Sequence, residues 1–125
     1  MIEITVEELL AIHKATIDEH GGLPGLKSEG MMLSALAQPM MGMGDIDFYP
    51  TLPEKIAALG FSLATNHAFH DGNKRVAFIS MSVFALKNAY LLEVPEEEAI
   101  EFMLALADGG NKSVGRDELV QWLAD

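Results

Sequence analysis

The sequence predicts an all-α protein: one compact domain over residues 1–125, a bundle of about six helices with an irregular flap or small hairpin near residues 40–51. Three observations carry that prediction. Apolar residues recur at three- and four-residue spacing. Helix-start and helix-stop residues bracket those runs in the right order. The one stretch without a clean period, MMGMGDIDFYP, is short and rich in Gly and Met.

TVEELLAIHKATIDEHGG opens the chain as an amphipathic helix. Thr5 and Glu8 have the spacing of a capping box, and Gly21-Gly22 supplies the stop. GGLPGLK is a loop. SEGMMLSALAQP is a short helix with Ser28 as N-cap and Pro39 beyond its end. After the flap, LPEKIAALGFSLATNHAF is a helix with Pro53 in its first turn, ending near Phe69. NKRVAFISMSVFALKNA begins near Asn73 and is apolar on most sides, as a buried central helix would be. YLLEV is an extended link. PEEEAIEFMLALADGG has Pro95 at its start, acids in its first turn and glycines at its end. SVGRDELVQWLAD closes the chain as a helix, with Ser113 or a neighbour as cap and Trp122 as a core anchor.

Composition excludes several classes. The chain has no cysteine, hence no disulfide framework and no Cys-based metal site or nucleophile. Its start lacks a basic segment followed by an apolar core, and its apolar runs are interrupted before about 18 residues. A cytoplasmic protein with neither signal peptide nor membrane span is expected. The net charge of −11 argues against direct, nonspecific nucleic-acid binding. It leaves room for a nucleotide, which needs only a local cationic pocket.

NHAFHDGNKR, residues 66–75, is such a pocket in outline. Lys74 and Arg75 are adjacent cations in an acidic chain. With a helix starting near Asn73, the N–H groups from Gly72 to Arg75 lack helical acceptors and form an anion site. Gly72 allows those groups to converge into a nest. Phosphate is the natural ligand. His67 is placed to accept a proton from an attacking hydroxyl, and Asp71 offers a hard oxygen for Mg²⁺. Phe69 would pin the loop to the core. Together these groups describe phosphoryl or nucleotidyl transfer, which is catalysed mostly by positioning and charge stabilisation. Taken singly they have plainer readings. His67 is then a helix-end histidine, Asp71 and Asn73 are caps, and Lys74 and Arg75 are a solvated pair. His70 reads as a solvent-facing loop residue, His13 and His20 as structural or surface residues, and the methionines from Met31 to Met43 as packing.

HAFHDGNKR resembles the signature of the Fic/Doc superfamily, H-x-F-x-D/E-G/A-N-G/K-R. Its NKR ending is similar to the death-on-curing branch, the toxins of toxin–antitoxin pairs; AMP-transferring members have glycine where this chain has Lys74. GGLPGLKSEGMMLSALAQP and the YP…EKIAALGFSL lead-in extend the resemblance over nearly the whole chain. The resemblance implies a compact helical fold with His67 as general base, Asp71 as Mg²⁺ ligand, and Asn73 and the amides from Gly72 onward holding phosphates. Lys74 and Arg75 become cationic clamps. It implies transfer of the γ-phosphate of ATP to a Ser/Thr hydroxyl of a protein, with elongation factor Tu as the expected target. The flap takes the place of the family's target-docking segment. A short, Phd-like antitoxin with a disordered tail is the expected second partner.

Departures bear on this. Many relatives carry Arg followed by an acid where this chain has Lys27-Ser28, and Lys cannot copy the bidentate grip of Arg. AMP-transferring members often have a second arginine at the place of Phe78. Self-inhibited members carry S/T-x-x-x-E-G/N, and the fit to Glu29-Gly30 fails at Gly25; inhibition by a separate antitoxin is then expected. Three other readings compete: a Fic-type AMP-transferase, a non-catalytic antitoxin-binding protein, and an HD-like metal phosphohydrolase suggested by His67, His70 and Asp71. The last needs a further upstream histidine and a downstream aspartate on facing helices, for which His13 or His20 and Asp108 are loose candidates, and it leaves Asn73-Lys74-Arg75 unexplained.

Overall fold

A computed structural model describes residues 1–99 and 101. In chain order they form α1 (Val6–His20), α2 (Glu29–Ala37), a 3₁₀ turn (Gln38–Met40), β1 (Gly42–Met43), β2 (Ile46–Asp47), α3 (Leu52–Thr65) and α4 (Asn73–Lys87). Residues 96–99 begin a further helical segment. The fold is all-α with one small hairpin, as predicted. The closing helix expected from Ser113, with Trp122, lies outside the described residues, as does Asp108.

Local chemistry sets the helix starts. Thr5 and Glu8 make the reciprocal capping box of α1, with Glu8 N–H donating to Thr5 Oγ1 at 3.1 Å and Thr5 N–H to Glu8 Oε1 at 2.9 Å. Gly21, at φ 80°, ends the helix. Ser28 caps α2 by accepting from Met31 N–H at 3.1 Å. Thr51 caps α3, and Pro53 lies in its first turn. Pro39 stops α2, but the chain makes one 3₁₀ turn through it before turning into the hairpin.

The hairpin is antiparallel, pairing Gly42 with Asp47 and Met43 with Ile46. All four residues are exposed. Its base is tied to the core by Lys55. This residue is only 4% exposed. Its ammonium donates to the Pro39 carbonyl at 3.0 Å and lies 3.7 Å from the Asp47 carboxylate. A buried cation without such partners would be costly.

The central helix is α3, a place the sequence had suggested for α4. Every residue from Lys55 to Ala64 is buried. The reason is size: Ala57, Ala58, Gly60, Ser62 and Ala64 let neighbours close in from all sides. α4 instead buries one face, with Asn73, Val76, Ala77, Ser80, Met81, Phe84 and Ala85 turned inward. α1 also packs against α4. The Glu8–Lys87 ion pair and two hydrogen bonds between Asn88 and the Ile2 backbone fasten the start of α1 to the end of α4.

The tightest crossing is at Gly60. A Cβ there would fall onto Met81 Sδ and stand 2.6 Å from Met81 Cγ, and Met81 is fully buried. Gly60→Ala is therefore expected to cost about 1–3 kcal/mol by overpacking, measured by urea unfolding. Gly60→Ala/Met81→Ala should cost less than the two single changes summed, because shortening Met81 vacates the contested space.

Candidate active site

The stretch between α3 and α4 takes a different course from the one the sequence suggests. α3 stops at Thr65 rather than near Phe69. Asn66 closes it with a hydrogen bond to Ser62 O, and His67 then turns left-handed at φ 52°. For a non-glycine residue that conformation costs about 1–3 kcal/mol. The compensation is non-local. Ala68 O accepts from both Lys27 N–H (2.7 Å) and Ser28 N–H (3.0 Å). Leu26 and Phe69 form an antiparallel bridge, and His70 N–H donates to Gly25 O at 3.4 Å. The loop between α1 and α2 thus pairs with the loop between α3 and α4 as a second strand would, and helix gives way to that pairing.

Three side chains then lock the loop. Phe69 is buried and stacks on His13 of α1, with ring centroids 3.9 Å apart and planes 11° from parallel. Asn73, the first residue of α4 and 9% exposed, clasps the Phe69 backbone at both ends. Its Oδ1 accepts from Phe69 N–H at 3.1 Å and its Nδ2 donates to Phe69 O at 2.9 Å. Asp71 Oδ2 accepts from Leu23 N–H at 2.7 Å. Asp71 does not cap α4. That place is taken by Gly72, at φ 81° and ψ 8°, which has no side chain to offer.

The start of α4 is consequently open. Val76 N–H is the first to find its helical acceptor, Gly72 O, at 2.9 Å. Among the described residues, the N–H groups of Gly72, Asn73, Lys74 and Arg75 donate to none. They border a cleft of about 420 Å³ lined by His67, His70, Asp71, Gly72, Asn73, Lys74 and Arg75. His67, Asp71, Gly72, Asn73, Lys74 and Arg75, the residues expected to serve as catalytic, phosphate-binding or metal-binding groups, therefore come together around one space. His70 is exposed, as expected, and also lines it. Free amide donors, a helix dipole and two cations make it an anion-attracting space.

A hard cation fits the donor set. Asp71 spends one carboxylate oxygen on Leu23 and keeps the other free among the described residues. No group of three or more His, Asp or Glu among them could cage a metal. One carboxylate completed by substrate phosphates is how Mg²⁺ is commonly held. Arg75 is already engaged: its Nη1 donates to Glu96 Oε1 at 2.8 Å, so a bound phosphate would share or displace that carboxylate.

Four contributors escaped sequence reasoning. His13 lies on the apolar stripe of α1 with Leu9 and Thr16, where a histidine looks like core. Its Nε2 lies 3.0 Å from the Asp71 carbonyl, so that nitrogen carries the proton and donates. Gly22, Gly25 and Glu96 belong to segments that meet the site only in three dimensions. The arrangement leaves the HD-like reading without its frame. His70 and Asp71 lie on a loop rather than in a helix, and His13 faces a backbone carbonyl.

A small helical domain with a histidine, a carboxylate and paired cations around an open helix start offers the groups that an anion needs. The chain is a member of the Fic/DOC family, whose sequence profile matches residues 3–85. It is 42% identical over 64 residues to a protein named Toxin Doc from Mycolicibacterium smegmatis, a match covering 51% of this chain and about half, 49%, of that one. It is 33% identical over 88 residues to Protein kinase doc of Escherichia phage P1, covering 70% and 69% of the two chains.

Gly22 sets the position of Asp71 from behind. At φ 117°, a Cβ on Gly22 would stand 3.1 Å from Asp71 Cβ and 3.2 Å from Ile17 Cδ1. Gly21, at φ 80°, has nothing within 4 Å of the same added atom. Both Gly→Ala changes should destabilise through backbone strain, by more than about 1 kcal/mol. Only Gly22→Ala should also displace Asp71, read as faster hydrogen exchange at the Leu23 amide.

Proposed function

We propose that this chain is a Doc-type toxin that transfers the γ-phosphate of ATP to a Ser/Thr hydroxyl of a protein, and that a short antitoxin restrains it. One observation carries the reading: Lys74 stands beside Arg75 on the cleft, at the motif position where AMP-transferring relatives have glycine. A side-chain cation there fills space that a glycine leaves open. It places full charge beside the amide nest, which favours seating the nucleotide with its terminal phosphate at the reaction centre. The name Protein kinase doc, borne by the phage relative, is in keeping with phosphate transfer.

The chain's own groups account for each demand of the reaction. His67 accepts the hydroxyl proton as the substrate oxygen bonds to the γ-phosphorus and the bond from that phosphorus to the β-bridging oxygen breaks, releasing ADP. The N–H groups from Gly72 to Arg75 hold phosphate oxygens, and Lys74 and Arg75 offset the charge spread over them. Asn73 keeps the loop in shape through its clasp on Phe69 and so serves those donors. Asp71 would hold Mg²⁺, which when bound neutralises charge across neighbouring phosphates. His67, at its left-handed turn after α3, lines the cleft. Elongation factor Tu is the first target to try, and the exposed hairpin edge suits backbone pairing with an extended segment of it.

The test is incubation with elongation factor Tu and ATP labelled at either the α- or the γ-phosphate. Label should pass from the γ position; label from the α position would instead establish AMP transfer. His67→Ala should fold normally by circular dichroism and lose transfer by roughly 10²–10⁴-fold. Undiminished transfer would remove His67 from the role of base.

A further inference from the structure

We propose that His13 is a positioning residue that holds the Asp71–Gly72 peptide in the orientation that aims the Gly72 amide at the phosphate. The inference rests on the phosphate-handling reading above and adds to it a residue on a different helix, far from the motif in sequence.

The argument starts from the planar trans peptide, in which C=O and N–H point in opposite directions. His13 Nε2–H donates to the Asp71 carbonyl at 3.0 Å, drawing that oxygen toward α1. The N–H of the same peptide, belonging to Gly72, is thereby turned away from α1, on the side of the cleft that Gly72 lines. Gly72 makes this orientation reversible. Its φ 81°, ψ 8° are the angles of the third residue of a type II turn. The type I alternative differs mainly by a flip of the preceding peptide, and glycine accepts both. After a flip, a carbonyl oxygen would face the space meant for phosphate oxygens. Leu23 N–H restrains the Asp71 side chain, but it leaves the peptide plane free. His13 supplies that restraint.

His13 is built for a fixed role. It is 5% exposed, and its ring is clamped against Phe69 by stacking. Phe69 is itself held at both backbone ends by Asn73. The imidazole therefore cannot swing aside, and its donor is registered against the loop through the ring it stacks on. A ring that only filled space would need no donor here.

The test separates the donor from the ring. His13→Phe keeps a ring against Phe69 and removes the donor. His13→Gln loses the ring but retains an N–H donor at a similar reach. If His13→Phe fails to fold, His13→Met takes its place as the donor-free variant. In ¹⁵N-labelled full-length protein the Gly72 amide resonance should move or broaden in the donor-free variant, and return toward its wild-type position in His13→Gln. ATP affinity in the presence of Mg²⁺ should fall about 10–100-fold without the donor, the usual effect of losing a partner that orients a ligand-binding group. His13→Gln should recover most of it. The loss should appear as a raised KM for ATP. A role in stability alone would lower the folded fraction and the apparent kcat, with KM unchanged. An unchanged Gly72 resonance and ATP affinity in the donor-free variant would overturn the proposal, as would His13→Gln behaving no better than it. If the wild type transfers no phosphate, the function proposed above falls, while the Gly72 resonance still decides the role of His13.

Discussion

The Asn73 clasp on Phe69 is the constraint on which the site depends. One amide side chain satisfies both backbone groups of a residue four positions earlier, and does so where water is nearly excluded. The loop is thereby closed into a ring whose inner side presents Phe69 to the core. Everything outside the ring follows. Phe69 carries His13, the bridge to Leu26 seats the α1–α2 loop, and Gly72 is left to turn the chain into α4. An N-terminal cap supplied by an ordinary Ser or Asp would have taken up one of those first amides and obstructed the site. Here the residue that could have capped the helix looks inward, and the amides stay available.

Charge is organised on the same principle of local exception. The chain carries a net charge of −11, yet the cleft gathers Lys74, Arg75 and a bare helix start. The surrounding acid repels polyanions such as nucleic acid, while a small anion close to the cleft meets mainly the local field. Glu96 on Arg75 keeps that cation from standing unpaired before a ligand arrives. Lys55 shows the opposite use of a cation: buried, fully engaged and structural, it welds the hairpin to α3.

What could be read from the sequence was whatever chain neighbours decide. The capping box of Thr5 and Glu8, the Ser28 cap and the placing of Pro53 are settled within four residues, and each was predictable. The motif from His67 to Arg75 was readable because its members are contiguous and their chemistry is specific. The end of α3 was misjudged by four residues, since Ala68 and Phe69 are helix-compatible until Lys27, Ser28 and Leu26 compete for their backbone groups. Helix centrality was misjudged because α4 carries more of the large apolar side chains, whereas the small residues of α3 decide how many neighbours can approach. His13 was lost in an apolar stripe. Nothing near it in sequence announces that its partner is a carbonyl 58 positions away.

The left-handed backbone at His67 has a consequence for how such a chain would drift. Glycine or asparagine would sit at φ 52° with less strain than histidine. At this one position, folding stability and the proposed chemistry pull apart. A mutation that discards the imidazole for glycine makes the turn easier, by about 1 kcal/mol or more. Inactive descendants would then incur no folding penalty at that residue. A histidine held in that conformation is what the proposed role of the ring as base asks for.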